Sequence, residues 1–105
     1  MPKVYVDVSI FTEAKAFGMI SGCIDVPAIP QVGDLMIFRP RSPPSVFAAI
    51  GQLRVNSRLI KADDDDPVIL MLDDITVATD DDARAVMCFL EEGYGLSGDI
   101  WQVDD

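Results

Sequence analysis

Pro67-Val-Ile-Leu-Met-Leu-Asp-Asp-Ile-Thr-Val-Ala-Thr-Asp-Asp-Asp-Ala-Arg-Ala-Val-Met-Cys-Phe-Leu-Glu-Glu-Gly93 is the stretch whose reading decides the fold. It opens on the densest apolar run of the chain, Val68 to Leu72, and continues through Ile75 and Val77. A run apolar on both faces reads as a strand at 68–77 that needs cover on each side. A helix follows over Asp80 to Glu92. Thr79 or Asp80 serves as its N-cap, and Asp81 and Asp82 lie in the first turn, where the helix dipole favours negative charge. Ala83, Val86, Met87 and Leu90 form an apolar stripe of helical period, and Gly93 stands where a left-handed C-terminal cap wants glycine.

Upstream, residues 3–11 alternate, with Val4, Val6, Val8 and Ile10 on one face and Tyr5, Asp7, Ser9 and Phe11 on the other. That is the pattern of a half-buried strand. A short connection at Thr12–Lys15 leads to a second strand over 16–26. Phe17, Met19 and Cys23 fall on one side of it, and Ile20, Ile24 and Val26 on the other. Gly18 and Gly22 mark a bend, a bulge or the close approach of another backbone. Pro27 to Asp34 reads as a rigid connector ending in a turn, followed by a short strand at Leu35–Phe38. Arg39-Pro-Arg-Ser-Pro-Pro-Ser45 is a loop.

The apolar parity is even at Val46, Ala48 and Ile50 and odd at Leu53, Val55 and Leu59, with the switch at Gly51. Either a β-bulge resets the register there or a helical turn over 45–50 precedes a strand at 52–60. On that strand Arg54, Asn56 and Arg58 share the side away from the core, as a basic ladder. Lys61 to Pro67 turns the chain into the apolar run, so the two strands make a hairpin. After the helix, Asp99 to Val103 forms a last edge strand or a packed extension.

Most strands precede the helix, which favours a segregated α+β fold over an alternating one. The expectation is an antiparallel, strongly bent or partly barrel-like sheet of five to six strands, packed by one C-terminal helix. The 105 residues fit a single domain, residues 1–105. The N-terminus has no long apolar core of a signal peptide, and no run approaches the roughly 18 residues of a membrane span. A cytoplasmic protein is expected.

Charge is strongly polarised. Residues 1–61 hold seven bases against four acids, whereas residues 62–105 hold fourteen acids against Arg84 alone. Net charge is −10. The absence of histidine removes Ser–His and Cys–His catalysis and the usual near-neutral proton shuttle. Cys23 and Cys88, far apart, read as buried free thiols.

Each candidate for chemistry has a plainer structural reading. Gly93-Tyr-Gly95-Leu-Ser-Gly98 has dinucleotide-loop spacing, but it follows a helix where the motif requires a strand before and a helix after. It is a helix stop, and no cofactor is expected. The run Asp63, Asp64, Asp65, Asp66 lacks the glycine and glutamate of a calcium loop, so it reads as a solvated hairpin tip and no metal is expected. Asp73 and Asp74 point to opposite faces unless a bulge lies between them. Pro27–Pro30 and Pro40–Pro43 are stiff connectors. The arginines at 39, 41, 54 and 58 are too few against the acids for direct nucleic-acid binding.

The function expected from these features is non-catalytic: an acidic binding protein for a basic protein partner, without membrane association. Asp63 to Asp66, Asp80, Asp81, Asp82, Glu91, Glu92 and Trp101 are the expected contacts. A narrower form of the same reading is an inhibitor or immunity-type protein that mimics nucleic-acid phosphates. The other class is an enzyme working through carboxylates, with or without a metal. A homodimer is compatible with either class.

Overall fold

A computed structural model describes residues 2–38, 52–62 and 67–101. The first strand, β1 (Lys3–Thr12), keeps the predicted alternation, with Val4, Val6, Val8 and Ile10 no more than 1% exposed. It pairs with antiparallel β2 (Ala16–Asp25) through a tight turn, in which the Thr12 backbone N–H donates to the Lys15 carbonyl at 2.9 Å. Val4 faces Ile24 and Val8 faces Ile20 across this pair. The register then shifts between Ile10 and Phe11, leaving Phe17 without a partner in the ladder. The bulge brings Phe17 out of its sequence parity and into full burial alongside Ile20.

The connector before β3 (Leu35–Ile37) is held by its own acid. The Gln31 N–H donates to the Asp34 carboxylate at 2.8 Å, the Gly33 N–H to the Val55 carbonyl, and the Val55 N–H to the Asp34 carbonyl. These bonds dock the turn on β4 (Gln52–Leu59), which pairs with both β3 and β5 (Val68–Leu72). The hairpin of β4 and β5 is therefore present. The parity switch at Gly51 and the alternatives for residues 45–50 lie outside the described residues.

The strand expected at 68–77 is two strands, β5 and β6 (Ile75–Val77), separated by Asp73 and Asp74. Both run parallel to β1, which corrects the expectation of a wholly antiparallel sheet. Asp7 is opposite Met71 and Ile10 is opposite Ile75, so one extra residue is accommodated between them. That bulge lets Leu70, Leu72, Ile75 and Val77 all reach the core although their sequence parity changes. A second irregularity, between Val55 and Ser57, breaks the expected basic ladder. Arg58 lies opposite Leu70 and shares its side of the sheet, whereas Arg54, next to buried Val55, is on the other side.

Helix α1 (Asp80–Tyr94) lies over β1, β2, β6 and β7 (Ser97–Ile100). Thr79 is its N-cap, accepting from the Asp82 N–H at 3.1 Å. Its end is one correction: the helix runs through Gly93, and Gly95, at φ 70°, takes the left-handed cap and donates to the Glu91 carbonyl. Ala83, Val86, Met87, Phe89 and Leu90 are the buried residues of α1. The last strand begins earlier than expected, at Ser97, and pairs with β2. Past it, the Trp101 N–H donates to the Phe17 carbonyl at 2.8 Å.

Among the described residues the fold is α+β, with one C-terminal helix on a sheet of seven strands in the order β3-β4-β5-β1-β2-β7, with β6 beside β1. Seven strands replace the five to six expected, and the sheet is open, not closed as a barrel. Among the described residues no helix is long and apolar enough to cross a membrane.

Candidate interaction surface

The acids of α1 divide into two groups. Asp80, Asp81 and Asp82 occupy the first turn, where the unpaired N–H groups of the helix welcome negative charge. Glu91 and Glu92 occupy the last turn, and no base accompanies them there. Carboxylates at the negative end of a helix dipole destabilise it by roughly 0.3–1 kcal/mol each at an exposed surface, so this pair has a cost that no base in its turn offsets. Asp81 and Glu92 are eleven residues apart, which at helical pitch sets them on one line about 16 Å from each other.

Between the two groups stand Arg84 and Cys88, both exposed. Arg84, the one base of the helix, is turned over the Phe17 ring at 5.4 Å. Cys88 donates to the Glu92 carboxylate at 3.4 Å. That hydrogen bond and the adjacent negative charge push the thiol above its ordinary pKa, which disfavours the reactive thiolate. Cys23 and Cys88 are free and exposed, which corrects the expectation of buried thiols. Cys23 is exposed because it faces Tyr5 across the ladder, on the side of the sheet away from the helix.

Trp101 is 42% exposed beyond the end of β7. The acids Asp63 to Asp66 lie outside the described residues.

Asp73 and Asp74 sit on the bulge that their convergence requires. Asp73 is already engaged: its N–H donates to the Arg54 carbonyl at 2.9 Å, and its carboxylate accepts from the Asn56 amide at 3.1 Å. Asp74 is exposed. The two line a recess of about 280 Å³ with Gln52, Arg54 and Thr76, where β6 parts from the beginning of β4. Among the described residues no group of three acids and cysteines is placed to hold a metal ion.

The residue that sequence reasoning passed over is Asp7. It lies at the middle of β1, opposite Met71 of β5 and Ser21 of β2. Among the described residues it has neither a hydrogen-bond nor an ion-pair partner. Partial burial raises its carboxyl above the ordinary aspartate value. The signal was present in the alternation of residues 3–11, because Asp7 is the one charge in the middle of the strand on the face it shares with Tyr5, Ser9 and Phe11.

No family model matches the chain, and no curated protein or solved structure matches it.

Proposed function

We propose that this protein is a non-catalytic binding module for a basic protein partner, engaged through the acids of α1. The observation that carries this reading is the Glu91–Glu92 pair. These carboxylates oppose the helix dipole, have no base in their turn, and face solvent. A partner's lysine or arginine would meet two carboxylates and the negative end of the helix together, where charge complementarity supplies both steering and selectivity. The Asp80–Asp82 group, about 16 Å along the same helix, offers a second point for a partner with spaced cations.

Binding and stability then respond in opposite directions to the same change. Glu91→Lys with Glu92→Lys removes the dipole conflict and is expected to raise stability by about 0.3–1 kcal/mol per site in urea unfolding. The same variant loses binding to polylysine, measured by titration across a salt series. Retention of polylysine binding by this variant, or a salt-independent affinity in the parent, defeats the reading.

A further inference from the structure

Among the described residues the sheet is covered on one face only, by α1. The opposite face carries Leu59, Ile69, Tyr5 and Cys23 in one cross-strand row, and Ser57, Met71, Asp7 and Ser21 in the next. Met19 and Phe11 continue it towards the β1–β2 turn. Open antiparallel faces are ordinarily polar at these positions. Here Leu59 is 47% and Met71 41% exposed, and Ile69, Met19 and Phe11 are half-buried. Methionines at such a surface adapt to varied apolar partners.

At its centre is one unpaired carboxylate. Asp7 has Met71 on one side and Ser21 on the other, with Tyr5 and Ser9 along its own strand on the same face. The Tyr5 hydroxyl is committed to the Ser21 hydroxyl at 3.0 Å. Among the described residues the remaining charges of this face are distant or engaged: Lys61, which lines a hollow with Tyr5, Cys23 and Ile69, has a partner other than Asp7. Lys3, about 13 Å along the strand, pairs with Asp25 at 4.0 Å. Arg54 borders the recess with Asp73 and Asp74, and Asp99 lies two strands away on β7. Asp7 thus sits beside Met71 and the hydroxyl-bearing Ser9, Ser21 and Tyr5, and among the described residues no cation is paired with it.

We infer that this open face docks an extended or helical segment of a partner protein that sets apolar side chains around one lysine or arginine, with the cation on Asp7. The sign of that charge rests on the basic-partner reading above, while the surface is separate from α1. A second copy of this chain would meet repulsion in a two-fold stack centred on Asp7, at the middle of a strand flanked on both sides, because the axis then sets Asp7 against its own copy.

The test uses the full chain with methionine methyl groups labelled for NMR, titrated with a short alternating leucine–lysine peptide and with its leucine–glutamate counterpart. Met19 and Met71 flank Asp7, whereas Met87 is buried beneath the helix and serves as an internal control. The lysine peptide is expected to shift the Met19 and Met71 methyls and the glutamate peptide to leave them unmoved. Asp7→Asn is expected to weaken the lysine peptide by roughly three- to tenfold, while Glu92→Gln leaves these two methyl shifts intact. Unchanged affinity in Asp7→Asn overturns the inference, as do shifts that depend on protein concentration alone and so reveal a second copy. If the Glu91 and Glu92 variants abolish all peptide binding and Asp7→Asn does not, the helix reading stands and this one falls. The converse removes the helix reading and keeps this one.

Discussion

The two faces of β1 are built from one alternation and meet opposite fates. Its even residues, Val4 to Ile10, are almost wholly buried beneath α1 and its neighbours, whereas Tyr5, Asp7, Ser9 and Phe11 remain partly exposed. Neighbouring β5 shows the same contrast: Leu70 is fully buried and Met71, the next residue, is 41% exposed. An apolar side chain on each face of a strand therefore does not guarantee a covering layer on each face. Among the described residues one helix of fifteen residues covers one side, and the other is left with exposed apolar side chains and one unpaired carboxylate.

The sharpest way to break this comparison uses two phenylalanines on either side of the β1–β2 bulge. Phe17→Ala removes a fully buried ring and is expected to cost about 3–5 kcal/mol in urea unfolding. Phe11→Ala, on the open face, is expected to cost well under half of that, because much of its surface already meets water. Equal losses would mean that the open face is covered after all.

Next in size is a pair of glycines. A Cβ at Gly18 would meet the Asp99 carbonyl of β7, a backbone atom that cannot move without breaking the pairing, while one at Gly98 would meet the flexible end of Met87. Gly18→Ala is expected to cost about 1–3 kcal/mol, with Gly98→Ala at or below the lower bound. The reverse order would show that β7 is held more loosely than the helix side chain above it.

Thr79→Ala tests the hold of the helix on the covered face. Loss of the bond to the Asp82 N–H is expected to cost about 1 kcal/mol, and Thr79→Ser to restore most of it. Hydrogen exchange should quicken in the first turn of α1 and leave β4 and β5 unchanged.

The smallest effect belongs to the open face and follows its charge. Folding raises the Asp7 carboxyl above 3.8, so the folded chain holds this proton more tightly than the unfolded one. Stability from this group is complete at lower pH and is lost as pH rises through the raised value. Asp7→Asn removes that loss, so it should stabilise the chain near neutral pH and match the parent near pH 3. A variant less stable than the parent at neutral pH would show an internal partner for the carboxylate.

Much of the fold was legible in local pattern. The alternation of residues 3–11, the β4–β5 hairpin and the helix from Asp80 all follow from periodicity and capping chemistry. The three register shifts were not legible, since each depends on which strand lies alongside. Near Phe17 and at Asp73–Asp74 they bring into the core residues that parity assigns elsewhere, and at Asn56 the shift splits the arginine ladder. The end of the helix was misjudged for a related reason. Gly93 and Gly95 are both adequate caps by composition, and burial of Phe89 and Leu90, with Tyr94 edge-on to Phe38 at 5.0 Å, favours carrying the helix to the second.

The candidate surface divides in the same way. The acids at 80–82 and 91–92 and their polarised setting are properties of the chain itself, because helix ends are specified locally. Asp7 gained significance only in three dimensions. By sequence it is one polar residue in an alternating strand. Parallel pairing of β1 with β5 sets Met71 beside it, and no described element brings it a cation. Sequence alone determined which side chains could face a core, because that depends on period. Tertiary structure decided which of the two faces received one, because a single helix can cover only one side of a sheet.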